Sequence, residues 1–180
     1  MQTIEINGLT FNVEFDHDDD AGAPWDESDG HGVVSELTTR DKRAGELVLS
    51  SDRGDRRYYD FAATCKIALR DGWRYGDDIA GETKRQKAAR ATLANFEYLR
   101  MWCADQWTYS VVTVTMLDDD GNETEVCDAL GGVETYRGHH EAQAQEMAEN
   151  LAAGRKVAFW RLSLLVARLT STRPRYRLSV

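Results

Sequence analysis

The chain has 180 residues, 42% of them hydrophobic and 29% charged, with 31 acidic against 22 basic residues and a net charge of −9. That apolar share suffices for a packed core and excludes wholesale disorder, and the length suits one domain with an added tail. The acidic balance disfavours the main body as a nucleic-acid binder, because it repels phosphate.

The opening reads as a hairpin. Asn7-Gly8 separates two alternating apolar segments, and both turn positions of such a hairpin need φ > 0. Ile4 and Ile6 share one face of the first strand, while Leu9, Phe11, Val13 and Phe15 alternate along the second. An acidic loop follows, Asp16 to Gly32, and then Val33–Thr39 as an extended stretch. Glu46–Ser50 is a short strand and Ser51–Asp55 a turn. Asp60 suits the N-cap of a helix from Phe61 to Asp71 that carries Phe61, Cys65 and Ala68 on one face. Gly72 suits its C′ position. A longer helix runs from about Thr83 to Gln106, with Ala89, Leu93, Phe96, Leu99 and Cys103 as its core stripe. Its first turns carry Lys84, Arg85, Lys87 and Arg90 against the macrodipole preference, as either a paired face or a binding face.

Tyr109–Leu117 is β-branched and reads as the best strand in the chain. Asp118–Asn122 turns it back into Glu123–Leu130, and Gly131-Gly132 ends that strand. His139 to about Ala153 is helical. Gly154 either breaks this helix or lets it run on through Phe159, Trp160 and Leu165. Thr170–Val180 reads as a flexible tail. Strands and helices mix without a βαβ repeat. The fold class is therefore α+β, with antiparallel hairpins packed with two to four helices. Residues 1–154 form a single compact domain in this reading, and 155–180 a basic C-terminal helical segment.

Charge is divided along the chain. Every acidic residue lies at or before Glu149, whereas residues 150–180 hold seven basic residues and no acid. The tail either folds back on the acidic body or meets an anionic partner such as nucleic acid. Three scattered cysteines (Cys65, Cys103, Cys127) match neither a disulfide framework nor a zinc motif and fit a reducing cytoplasm. The N-terminus lacks a basic region followed by an apolar run, so no signal peptide is expected. The apolar run near Val157–Leu169 is broken by Arg161 and Arg168 and is too short to span a bilayer, so no membrane is expected.

The chemistry concentrates in the loop. Asp16, Asp18, Asp19, Asp20, Asp26, Glu27 and Asp29 fall within 14 residues, and no lysine or arginine occurs from Met1 to Val34. Such carboxylates repel one another unless water, a cation or a basic surface neutralises them. Asp16, Asp18 and Asp20 stand at positions one, three and five of a calcium loop with Glu27 at twelve. However, Ala21 replaces the glycine at position six, and a strand precedes the loop. A looser divalent-cation site would use Asp16, Asp18, Asp20, Asp29 and His31, and would make the chain a metal-dependent hydrolase. The other reading is a partner surface of Asp18, Asp19, Asp20, Trp25, Asp26, Glu27 and Asp29, with Trp25 as anchor and no cofactor. No GxGxxG, P-loop, GxSxG or HExxH motif is present, and no catalytic residue is assigned. Adjacent His139 and His140 start a helix from its solvent side.

Pro24-Trp25-Asp26-Glu27-Ser28-Asp29-Gly30-His31-Gly32 is followed by Asp41-Lys42-Arg43, Gly45-Glu46, Asp52-Arg53-Gly54 and Arg57-Tyr58-Tyr59-Asp60-Phe61. This pattern resembles a family of small uncharacterised proteins encoded by tailed bacteriophages, over about residues 14–130. The basic C-terminus departs from that family, which tends to end in an acidic helix. The resemblance implies a phage or prophage origin and action in the bacterial host cytoplasm, and it supplies no catalytic residues. Together with the acidic loop, it leads to the expectation of an accessory protein that binds a host or phage protein with a basic surface. Such a protein would inhibit a nucleic-acid-binding or defence protein by nucleic-acid mimicry. Nucleic-acid binding through the basic tail is the remaining alternative.

Overall fold

The computed structural model describes residues 2–27 and 30–170, and side chains as far as Gly154. The fold is α+β, built on antiparallel sheets. Contacts divide it into two compact units, Met1–His17 with Ser110–Val180, and Asp18–Tyr109. The second is an insertion in the sequence of the first, and the residues expected as one domain span both.

The first unit is a four-stranded sheet in the order β1 (Gln2–Ile6), β2 (Leu9–His17), β5 (Tyr109–Leu117), β6 (Glu123–Glu134). Asn7 (φ 54°) and Gly8 (φ 78°) make the expected left-handed turn of the first hairpin. Register puts Ile4 opposite Phe11, Phe11 opposite Met116, Val13 opposite Val114 and Phe15 opposite Val112. All of these side chains therefore share one face. That face packs against Ala144, Met147, Ala148, Leu151 and Ala152 of helix α4 (His139–Thr170). Small alanines bring the helix close, and the sheet supplies the bulk.

Helix α4 passes through Gly154, so the expected boundary at 154/155 falls inside it. Its 32 residues amount to about 48 Å at 1.5 Å per residue. Residues 171–180, expected as a flexible tail, lie outside the described residues. At its start His139 is exposed as expected, whereas His140 is half-buried and meets Phe15 edge-on at 4.7 Å. Strand β6 continues past the Gly131-Gly132 pair that was expected to end it, with Gly132 at φ 69°. Beyond the glycines the strand regains the core at Val133, which is buried.

The second unit joins a hairpin, β3 (Glu46–Asp52) and β4 (Asp55–Asp60), to helices α2 (Phe61–Asp71) and α3 (Lys84–Cys103). A single helical turn, α1 (Pro24–Glu27), lies in the acidic loop. Strand β4 was not expected, because Asp55-Arg56-Arg57 carries no strand pattern. Its pairing with β3 makes it a strand, and it delivers Tyr58 and Tyr59 into the interior. Val33–Thr39 contributes only the isolated bridges Val34–Tyr59 and Thr38–Arg56. Helix α2 has the expected bounds, with Asp60 Oδ1 accepting from Ala63 N–H at 2.8 Å and Gly72 at φ 70°. Thr83 and Gln86 form a reciprocal capping box at the start of α3.

The core of this unit is Leu49, Tyr59, Phe96 and Leu99, with Trp25, Val34, Leu47, Phe61, Tyr98 and Cys103 packed around it. The expected stripe of α3 is rotated. Ala88, Ala91, Thr92, Phe96 and Leu99 are buried, while Leu93 is 50% exposed.

Candidate functional site

The acidic loop is divided between the units, with Asp16 in the first and residues from Asp18 onward in the second. Within the second, several loop groups are engaged by the fold itself. Asp18 Oδ1 accepts from Asp20 N–H at 3.2 Å, and Glu27 Oε1 accepts from Gly22 N–H at 2.8 Å. A methyl group on Gly22 would lie 2.6 Å from that same Glu27 oxygen, so the glycine is what lets the carboxylate close the loop. Asp19, Asp20 and Asp26 are exposed, and Asp29 lies outside the described residues. Trp25, expected as a partner anchor, is half-buried. It meets Trp102 edge-on at 5.3 Å, and the Arg57 guanidinium lies over its ring at 4.8 Å.

His31 belongs to a network built around Asn95 of α3. Asn95 Oδ1 accepts from Gly32 N–H and from the Tyr59 hydroxyl, each at 2.9 Å. With two donors on its oxygen, the amide presents Nδ2 to His31 Nδ1 at 3.0 Å. In the neutral ring Nδ1 is then the acceptor and the proton sits on Nε2. The imidazole also stacks on Tyr98 at 5.6 Å and 7°. Burial raises the Tyr59 hydroxyl above the usual tyrosine range, so it serves as a permanent donor. Gly32 is obligatory here, since a Cβ would fall 2.4 Å from the Tyr59 ring. Among the described residues no three His, Cys, Asp or Glu side chains gather in a way that would hold a metal ion.

Arg43, Glu46 and Tyr58 are likewise engaged by the fold. Arg40 grips Glu46 with two hydrogen bonds of 2.7 and 2.6 Å, and Arg43 N–H adds a third at 2.8 Å. These bonds from Arg40, then Arg43, hold the Glu46 carboxyl at about 2, below the usual range. Arg40 also lies over the Tyr58 ring at 4.5 Å, and its carbonyl accepts from the Tyr58 hydroxyl at 2.8 Å. Burial raises the Cys103 thiol, which makes it a poor nucleophile and agrees with its reading as a core residue.

The first unit carries a different electrostatic feature. Through Gly154 it holds thirteen acidic residues and one basic residue, Arg137. The insert is nearly balanced, with eighteen acidic and fourteen basic residues. The rest of the first unit, residues 155–180, adds seven basic residues and no acid, so the acidic excess is confined to the part before Arg155. On the sheet face opposite α4, register places Glu5, Glu14 and Asp16 alongside Thr3, Thr10, Thr113 and Thr115. Glu123 reaches the same face, accepting from Asn12 Nδ2 at 2.9 Å. The four carboxylate residues are exposed. Acids two residues apart on a strand lie about 6.8 Å apart, and neighbouring strands are about 4.8 Å apart. The DDDGN turn behaves as turn chemistry, with Asp118 Oδ1 accepting from Asn122 N–H at 2.8 Å and Asp120 N–H at 3.0 Å. Those bonds lower the Asp118 carboxyl, the one from Asn122 most.

No protein-family model, curated protein or solved structure matches the chain. No described helix is long and apolar enough to cross a membrane. The class defined by fold and sequence is thus an α+β protein of two units, the first strongly acidic as far as Gly154.

Proposed function

We propose that the protein acts by protein–protein interaction through an acidic surface, as a phage accessory factor in the host cytoplasm. Its partner is a host or phage protein with a basic, nucleic-acid-binding surface, which it occupies in place of nucleic acid. The observation that supports this reading is the charge of the first unit, thirteen acids against Arg137 through Gly154. The face committed to the partner is the open side of the sheet, with Glu5, Glu14, Asp16 and Glu123. A sheet whose four strands carry no lysine or arginine steers a basic partner to it, and the attraction weakens as salt rises.

The test uses the full immobilised chain and DNA-binding nucleases of a bacterial host. Retention at low ionic strength, release by about 0.5 M salt, and loss of DNA cleavage with excess protein are expected. The variant Glu5→Gln/Glu14→Gln/Asp16→Asn/Glu123→Gln should lose both effects. Cleavage indifferent to excess protein overturns the reading.

A further inference from the structure

A basic region of the insert lies where α2 hands over to α3. At the end of α2, Gly72 turns left-handed and Trp73 N–H returns to the Ala68 carbonyl at 2.9 Å. The chain from Trp73 to Thr83 is then strapped onto α3. Arg90 holds Glu82 with two hydrogen bonds of 3.0 and 2.8 Å and donates to the Tyr75 and Asp77 carbonyls. Lys87 pairs with Asp78 at 2.7 Å. These contacts consume Asp78 and Glu82. Among the described residues, Arg74, Lys84 and Arg85 form no ion pair, and all three are exposed.

Between these elements is a cavity of about 450 Å³. Arg70, Arg74, Lys84 and Lys87 line it, and Glu82, its one carboxylate, is already held by Arg90. The half-buried Trp73 and the 43% exposed Leu69 form its apolar wall. Lys84 and Arg85 are the first residues of a 20-residue helix, so their amides lack helical carbonyl partners and add positive potential.

We infer that this cavity binds a nucleotide, with its phosphates against Arg74, Lys84 and the start of α3 and its base against Trp73. Arg74 and Lys84, the two lining cations without an ion pair, together with the amides at the start of α3, call for a ligand with negative charge, while Arg70 and Lys87 are held by Asp71 and Asp78. The indole and leucine wall calls for one with a flat aromatic part. A nucleotide carries both, and the volume lies within the range of small-molecule sites, about 300–1,000 Å³. The inference is independent of the acidic sheet, which lies in the other unit.

Titration of the full chain with ATP and GTP, followed by calorimetry and tryptophan fluorescence, tests it. Inorganic triphosphate and adenosine serve as the phosphate-only and base-only ligands. A nucleoside triphosphate should bind at least tenfold more tightly than either fragment. Arg74→Gln/Lys84→Gln should lose about tenfold or more of that affinity, the scale of one or two charge-assisted bonds. Trp73→Leu should weaken the nucleotide and leave inorganic triphosphate unchanged. Both replaced cations are exposed, so unchanged melting is the folding control, and that variant decides the matter if Trp73→Leu fails to fold. Three results overturn the inference: no nucleotide binding at about 1 mM, binding that Arg74→Gln/Lys84→Gln leaves intact, or inorganic triphosphate binding as tightly as ATP. The second would move the site to another basic segment, such as residues 155–180.

Discussion

The Tyr59 hydroxyl donates to Asn95 Oδ1 at 2.9 Å, joining strand β4 to helix α3. Tyr59 is wholly buried, and the same Asn95 oxygen receives the Gly32 amide. One side-chain amide thus gathers a strand, a helix and the end of the acidic loop. Tyr59→Phe deletes the donor and should cost about 1–3 kcal/mol, the range for disrupting a buried hydrogen bond. Gly32→Ala drives a methyl into the Tyr59 ring and should cost about 1–3 kcal/mol through overpacking. Urea denaturation of the two variants and of the double variant measures both. A double variant less damaging than the sum would reflect the shared contact.

Glu46 gives the protein an acid-sensitive lock. Its folded-state carboxyl, at about 2, lies below its unfolded value of 4.5. The stability it contributes is therefore fully present above 4.5 and is lost as pH falls through about 2. Glu46→Gln should lower the melting temperature at pH 7. The gap to the parent protein should narrow between about pH 5 and pH 2. A gap that stays constant over that window would remove the Arg40–Glu46 pair from the account.

The rotation of α3 makes a paired prediction. Leu99 is fully buried and Leu93 is 50% exposed. Leu99→Ala should cost about 2–5 kcal/mol, whereas Leu93→Ala should stay within about 0.5 kcal/mol. Chemical denaturation of the two single variants is the measurement, and equal losses would restore the stripe expected from spacing.

Trp25 offers a similar contrast within the acidic loop. Its contacts with Trp102 and Arg57 make it part of the fold. Trp25→Ala should therefore cost about 2 kcal/mol. Asp19→Asn and Asp20→Asn, at exposed positions, should each change stability by less than about 0.5 kcal/mol. Thermal melting of the three variants separates an anchor held for the fold from one held for a partner.

Local chemistry written in the sequence sufficed for the Asn7-Gly8 turn, the Asp60 cap, the Gly72 stop, the bounds of α2 and β5, and the α+β class. Each depends on residues a few positions apart, where backbone sterics and single hydrogen bonds decide the outcome. Strand β4 was not legible, because Asp55-Arg56-Arg57 becomes a strand only by pairing with β3. The burial of Leu99 over Leu93 was not legible either. Their spacings suit neighbouring faces of one helix, and only the partner element selects between them.

The loop followed the same division. Its acidity was plain from Asp16 to Asp29, and it suggested a site in one place. Tertiary structure assigned Asp16 to one unit and the residues from Asp18 onward to the other, tied His31 to Asn95, and packed Trp25 against Trp102. It also separated the charge, leaving one unit with thirteen acids and Arg137 through Gly154. By itself the sequence determined how much charge and apolar surface there was, and which short segments turn, cap or extend. The tertiary structure decided which of those groups share a surface, because contacts across 63 residues, such as Gly32 to Asn95, follow from packing and leave no local signal.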